Sequence, residues 1–372
     1  MNIFFFDAIP LEKRYEEWKN HGFPGHLLYG LTHFERYGIH CLFKSIPFDP
    51  YKYRLRLTVY TFMRYIRIQR KIDAIYGVTF RGLEIIVFLR AMKIIRKPVV
   101  VWHHAAVAIP KNPIRKAVST FFYQGFDKLL FFSEKLRTDS LNTGKINKKK
   151  TAVIHWGADL DFYDLLIKNR KTNDFFVSTG KENRDFPTLI NAYRKLPYKC
   201  CIYTSKKLGD NDYEKILRET DISTVSNVEI HFVDSSVKEM AEIVNNSRGV
   251  VICCLDYPYT IGLTTLVEAL ALGLPVITTD NPTYPFDVEY ENVGIKTPYG
   301  DVDAWVEAIR MLHENPEKTR QLGKNGRKLA EEKYNLEIFA KEIAVELLSL
   351  HSSSSPCPLQ RGIGEEYKII IK

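Results

Sequence analysis

Cysteine is scarce in this chain, with six in 372 residues. Four of them form adjacent pairs, Cys200-Cys201 and Cys253-Cys254, inside apolar runs that read as buried strands. No Cys-x-x-Cys spacing occurs, which disfavours a structural zinc site. Neighbours along a strand point to opposite faces, which disfavours a disulfide within either pair. This usage fits a reducing compartment. Long apolar runs are missing too: Arg90, Lys93, Arg96 and Lys97 interrupt the best candidate, so no span reaches the length that crosses a bilayer. The opening MNIFFFDAIP has no basic region before its short apolar stretch and no small-residue cleavage site, so it does not read as a signal peptide. No repeat of solenoid period is found. The expectation is a cytoplasmic protein, soluble or peripheral on the inner face of the membrane.

Acid is absent from one stretch. Residues 51–71, YKYRLRLTVYTFMRYIRIQRK, interleave Lys52, Arg54, Arg56, Arg64, Arg67, Arg70 and Lys71 with aromatic and aliphatic side chains. Residues 1–150 carry 27 Lys and Arg against 11 Asp and Glu, a net +16, whereas residues 151–372 carry 26 against 33, a net −7. The basic half is expected to meet an anionic surface. An aromatic, basic, amphipathic helix at 51–71 suits an anionic membrane face; a helix with one face in the core and a solvated basic face is the other reading. No zinc finger, RNP-type strand or helix-turn-helix cue accompanies the charge, so no nucleic-acid partner is expected.

What the chain does have is alternation. Short apolar runs and helical patterns follow one another throughout, as in parallel sheets covered by helices. The pattern predicts an α/β protein of two Rossmann-like parallel-sheet domains facing a cleft. Residues 1–168 are expected to form the first and 169–336 the second, with a polar linker near 165–173. A helix at 337–350 is expected to pack back on domain one, and the Ser- and Pro-rich end, 351–372, to be disordered.

The densest signal is GLTTLVEALALGLPVITTD, residues 262–280. A helix that starts just after glycine aims unpaired N–H groups and the positive end of its dipole at whatever lies ahead. Thr264 and Thr265 add hydroxyls there, and Glu268 follows one turn on, a device suited to a phosphorylated sugar ligand. A second strand end, Ser178-Thr179-Gly180-Lys181-Glu182-Asn183-Arg184, offers a glycine and two cations ahead of a helix, as a diphosphate site requires. Val233 follows another buried strand. In the first half, Gly25 closes a Gly-Phe-Pro-Gly loop, and Val101-Trp102-His103-His104 ends a strand whose two histidines must point opposite ways. His104 is the candidate, with His103 in reserve.

These segments resemble those of GT-B glycosyltransferases, in particular glycosyltransferase family 4. Glu268-Ala269-Leu270-Ala271-Leu272-Gly273-Leu274-Pro275-Val276-Ile277 is similar to the second half of that family's nucleotide-sugar signature. The family's first glutamate falls at Thr260, a departure that bears on contacts to the donor sugar. The resemblance implies retaining transfer of a hexose-like sugar from a nucleotide-diphosphate sugar to a glycan or lipid-linked acceptor, in cell-envelope or exopolysaccharide synthesis. It implies Lys181 and Arg184 on the diphosphate, Glu268 on the ribose, Val233 at the base and His104 at the sugar or acceptor. Gly25, Gly180, Thr260, Gly262, Leu263, Thr264 and Thr265 complete the donor set. No cofactor and no metal are implied: Asp159-Leu160-Asp161 matches a Gly-x-Asp loop of the family rather than an Asp-x-Asp metal motif. A catalytically inactive, nucleotide-binding relative is the alternative. A dinucleotide oxidoreductase would need Gly-x-Gly-x-x-Gly after the first strand, which is absent.

Overall fold

A computed structural model of the chain describes residues 1–350, and the tail expected at 351–372 lies outside the described residues. The chain divides into two compact units. One comprises Met1–Asn20, Gly25–His155 and the segment from Glu337; the other comprises His21–Pro24 and Trp156–Leu336.

The first unit runs β1 (Asn2–Phe6), α1 (Leu11–Lys19), β2 (His40–Leu42), α2 (Arg54–Ile68), β3 (Ala74–Gly77), α3 (Glu84–Ala91), β4 (Val99–Trp102), α4 (Pro113–Gln124), β5 (Lys128–Phe131), α5 (Glu134–Leu141) and β6 (Thr151–Val153). Its six strands pair in parallel in the order β2-β1-β3-β4-β5-β6. Phe4, Phe5, Ile75, Val100, Val101 and Leu130 are fully buried, because helices cover both faces of a parallel sheet. Helix starts are locally encoded: Asn112 with Pro113 opens α4, and the Ser133 hydroxyl accepts the N–H of Leu136 at the head of α5.

The second unit continues with α6 (Leu160–Ile167), β7 (Phe175–Thr179), α7 (Phe186–Tyr193), β8 (Lys199–Thr204), the hairpin β9 (Lys207–Leu208) and β10 (Asn211–Asp212), α8 (Tyr213–Glu219), β11 (Val228–Phe232), α9 (Val237–Asn245), β12 (Gly249–Ile252), α10 (Leu263–Ala271), β13 (Val276–Thr279), β14 (Gly294–Thr297), α11 (Val302–Glu314) and α12 (Pro316–Glu332). Six of these strands form a second parallel sheet, ordered β11-β8-β7-β12-β13-β14. One core gathers Phe176, Ile190, Ile202, Val251, Trp305 and Ile309. The expected α/β architecture of two Rossmann-like units is what the structure shows.

Three local features differ from the sequence expectation. The stretch around 165–173 begins inside a helix: α6 buries Phe162, Tyr163 and Leu166, and Asp159 caps it by accepting the N–H of Phe162. Its C-terminal end belongs to the second unit, where Asn245 Nδ2 donates to Leu166 O at 2.9 Å and Arg327 pairs with Asp164 at 2.6 Å. The division therefore falls at 155/156 rather than 168/169, because Asp164 is an ion-pair partner and not part of a solvated break. Residues 26–37, whose pattern in the sequence reads as one helix, instead form two short 3₁₀ turns, Gly25–Leu28 and Phe34–Tyr37. Tyr29 (φ 49°) and Gly30 (φ 88°) are left-handed, which stops helical propagation. The hairpin at 207–212 turns through Gly209 (φ 57°) and carries no alternating pattern that would announce it.

The last helix, α13 (Leu336–Ser349), lies in the first unit from Glu337 onward. The Glu342 carboxylate accepts both the backbone N–H of His155 at 2.8 Å and its Nδ1–H at 2.7 Å, while Glu346 pairs with Lys128 at 2.7 Å. Phe339 packs on Trp102, with ring centroids 5.7 Å apart. Among the described residues no helix is long and apolar enough to cross a membrane. Replacing Glu342 by Ala removes both acceptors at a half-buried position. Urea unfolding should then show a loss of about 1–3 kcal/mol; an unchanged midpoint would mean that α13 is held by its apolar face alone.

Candidate functional site

In the second unit the strand ends β7 and β12 are neighbours, so the loops that follow them meet. Arg184 is the centre of that meeting. Its side chain is buried at 5% exposure, with Nε donating to Thr179 O at 3.0 Å and Nη1 to Glu182 O at 3.3 Å. Nη1 also approaches Cys254 Sγ at 3.5 Å, and Nη2 reaches Thr265 Oγ1 at 3.4 Å. Gly180 (φ 134°) lies against the guanidinium so closely that a Cβ there would overlap it. Gly262 precedes α10 with φ 84°, and a Cβ there would sit 2.5 Å from Ile252 Cγ2 and 2.8 Å from Tyr284 Oη. Only glycine fits both places. The N-terminus of α10 has no side-chain cap and no acid in its first turn, so its dipole is uncompensated within the helix.

The structure thus brings Gly180, Arg184, Gly262 and Thr265 together. Leu263 and Thr264 lie in the same first turn; Leu263 is buried and donates its N–H to Thr260 O at 3.2 Å. Lys181 is solvent-exposed beside them. Glu268, half-buried, lies beside the Tyr163 hydroxyl of α6, and together with burial it holds that phenol well above the usual tyrosine range. Val233 sits just past β11, two strands from β7, its N–H bonded to Thr204 O at 3.0 Å. The loop before α10 is tied back as well, since Asn183 Nδ2 donates to the Tyr259 hydroxyl at 2.6 Å.

In the first unit, His104 closes β4 with one side open to solvent and the other packed against Tyr29 and Phe132, at centroid distances of 5.9 and 5.3 Å. Its Nε2 must donate to Val78 O at 2.8 Å, which leaves Nδ1 as an acceptor; packing lowers its pKa. His103 points inward: Nδ1 donates to Ala105 O and Nε2 accepts from the Tyr123 hydroxyl at 2.8 Å. Burial lowers its pKa to about 4, so it is a neutral core residue. Gly25 is buried at the start of its 3₁₀ turn. Sequence reasoning passed over Asp7. It follows β1 directly, is 7% exposed, and burial raises its pKa to about 7. A carboxylate closing an apolar parallel strand was the available signal. For Tyr163 there was none.

Asp159 of the Asp-Leu-Asp motif is the cap of α6. Among the described residues one trio, Cys201, Glu229 and His231 on β8 and β11, places donor atoms within 4.8 Å of one another. Lys199 holds Glu229 at 2.7 Å, and burial pushes the Cys201 thiol up to about 11. A cavity of about 290 Å³ follows β13, lined by Thr279, Asp280, Asn281, Tyr284 and Lys296 among others, and contains none of the sequence-predicted residues.

Residues 161–329 match the family model of glycosyl transferases group 1. No curated protein compared with the chain matches it. Among solved structures the chain is similar to HepE from Anabaena, solved with UDP-glucose: 16% identity, TM-score 0.66, covering 94% of this chain and 100% of that one. A glycosyltransferase from Rickettsia africae gives 15%, 0.65, 95% and 99% in the same terms. WaaG, a glycosyltransferase involved in lipopolysaccharide biosynthesis, gives 13%, 0.59, 92% and 98%. These neighbours show that the chain has the GT-B fold, two Rossmann-like units. The stretch that matches the group 1 model lies within the second unit.

Asp7 allows a pH test. Its folded pKa of about 7 exceeds the ordinary 3.8, so the folded state binds the extra proton between those values. Stability from this group is therefore complete at low pH and lost as pH rises through 7. Relative to wild type, Asp7→Asn should gain up to a few kcal/mol as pH rises from about 4 to about 7, and no more above that. A pH-independent difference would remove Asp7 from the list of perturbed groups.

Proposed function

We propose that this protein is a retaining, metal-independent glycosyltransferase of the family 4 kind. It moves a hexosyl group from a nucleoside-diphosphate sugar to a glycan or lipid-linked acceptor of the cell envelope or an exopolysaccharide. The observation that carries this reading is the convergence of Gly180, Arg184, Gly262 and Thr265 at two adjacent strand ends, ahead of an uncapped helix. The leaving diphosphate gains negative charge as the sugar departs, and preorganised donors lower that barrier. First-turn N–H groups of α10, the Thr264 and Thr265 hydroxyls and the exposed Lys181 supply such donors. Arg184 contributes charge from beneath while its own N–H groups hold the loop. Glu268 accepts from the ribose hydroxyls, Val233 meets the base through its backbone, and His104 Nδ1 accepts from the sugar or the acceptor. HepE was solved with UDP and with UDP-glucose, and WaaG serves lipopolysaccharide synthesis, which supports this donor class and an envelope glycan as product. Thr260, in place of the family's glutamate, favours a second reading: a subunit that binds nucleotide without turnover.

Lys181→Ala should weaken donor use roughly 10- to 100-fold, the worth of one charge-assisted phosphate contact, with an unchanged melting temperature. Arg184→Ala should lose both activity and stability, since it orphans carbonyls of Thr179 and Glu182. Glu268→Gln should mainly raise the apparent donor constant. Nucleotide-release kinetics and thermal shifts with UDP and UDP-glucose read these out; wild-type kinetics in Lys181→Ala and Glu268→Gln alike would refute the donor assignment, and binding without any release would favour the non-catalytic reading.

Activity should survive EDTA, because cationic groups and helix N–H donors meet the phosphate charge. Loss with EDTA and recovery with Mn²⁺ or Mg²⁺ would overturn the metal-independent mechanism.

A further inference from the structure

In the first unit α2 packs on α3 and α3 on α4, so the three form one helical layer. Each buries one side: Leu57, Thr58, Thr61 and Tyr65 of α2, Ile86 and Val87 of α3, Phe122 and Tyr123 of α4. What remains outside is unusual. Of the 19 exposed large hydrophobic side chains among the described residues, 12 lie between positions 51 and 121. On α2 they are Leu55, Val59, Met63 and Ile66, spaced as one stripe, with Leu55 78% exposed. On α4 Ile114, Val118 and Phe121 make a second stripe, with Ile114 75% exposed. Met92 and Ile94 stand exposed after α3.

The same 71 residues contain 15 Lys and Arg but only two acids, Asp73 and Glu84. Both acids are engaged: Asp73 accepts the N–H of Asn2 at 2.7 Å, and Glu84 pairs with Arg54 at 3.2 Å. Arg64 is also withdrawn, over the Phe4 ring at 5.1 Å and donating to Lys44 O at 3.0 Å, so its expected place on the basic face is corrected. Arg67, Arg70 and Lys71 remain exposed on the α2 side, and Lys111, Arg115 and Lys116 on the α4 side.

We propose that the outer face of the α2–α3–α4 layer docks on an anionic phospholipid bilayer, both stripes entering the interface and the flanking cations meeting lipid phosphates. Charge selects the occupant: a net +13 over residues 51–121 repels a second copy of the layer and complements an acidic surface. The apolar stripes select between acidic surfaces, since a bilayer interface offers them an apolar phase and a nucleic-acid backbone does not. Docking supplies the acceptor side of the function proposed above, yet its test needs neither donor nor turnover, so either idea can fail alone.

The full-length protein should sediment with vesicles of phosphatidylcholine and phosphatidylglycerol at low ionic strength, and far less with phosphatidylcholine alone or at high salt. Leu55→Ser with Met63→Ser, and separately Ile114→Ser with Val118→Ser, should lower partitioning at least about tenfold, with melting temperature unchanged. Arg67→Gln with Arg70→Gln should lower it and flatten its salt dependence. A Leu55→Trp protein should be quenched by brominated lipid. Wild type that stays in solution at low ionic strength, binds neutral vesicles equally, or binds single-stranded RNA in preference to vesicles would overturn the proposal. Apolar variants that bind as wild type, with Leu55→Trp unquenched, would overturn the insertion of the stripes.

Discussion

A buried guanidinium cannot be left half satisfied, and the second unit is organised around one. Arg184 takes its acceptors from the end of β7, from the loop after it and from Thr265 of α10, and its backbone bridges to Cys254 beyond β12. Taking that cation out of water costs several kcal/mol unless every donor is met, so each of these segments is held to the geometry that meets it. Gly180 must lack a side chain because the guanidinium occupies the space, and Gly262 must lack one because α10 starts against Ile252 and Tyr284. The two glycines, the arginine and the helix N-terminus are therefore one constraint. Their convergence leaves an uncapped helix end and an exposed Lys181 facing outward from a rigid base, the preorganisation that phosphate recognition needs.

The first unit obeys the same polarity. In a parallel sheet all C-terminal strand ends lie along one edge, so Asp7 after β1, Val78 after β3 and His104 after β4 are neighbours by topology and not by sequence. The left-handed Tyr29 is part of that edge, its ring against His104 and Trp102. A bulky residue at positive φ costs about 1–2 kcal/mol, which the aromatic packing around it must offset.

How much of this was legible depended on whether the signal was local. Strands and most helices were read from apolar runs because their burial is two-sided, and α10 was found because glycine, threonine and an apolar helix stand consecutively. That the stretch near 165–173 begins inside α6 is not legible locally, since Asp164 is polar in sequence but answers Arg327, 163 positions away. The sequence puts Arg184 at the diphosphate, and nothing local says that Thr265 and Cys254 lie against its guanidinium. The α2 stretch showed its basic character directly. Which cations face outward, and that α4 adds a second apolar stripe, follow only from packing: Arg64 turns inward because Phe4 and Lys44 lie beneath it.

Thr260 bears on the chemistry in a definite direction. Its carbonyl accepts the Leu263 N–H, so the residue shapes the turn into α10 whatever its side chain. A carboxylate at that position would partly cancel the positive end of the helix dipole and offer an acceptor to a sugar hydroxyl. Threonine does neither, so under the proposed function the helix end keeps its full field for phosphate and the sugar has one charged acceptor fewer. On the proposed reading, affinity for the nucleotide diphosphate is preserved or raised while discrimination among sugars falls to other groups. Glu268, which the proposal gives to the ribose, is tied to Tyr163, so it would not supply that discrimination. Within the second unit, the proposal then leaves sugar selection to uncharged donors and acceptors near α10.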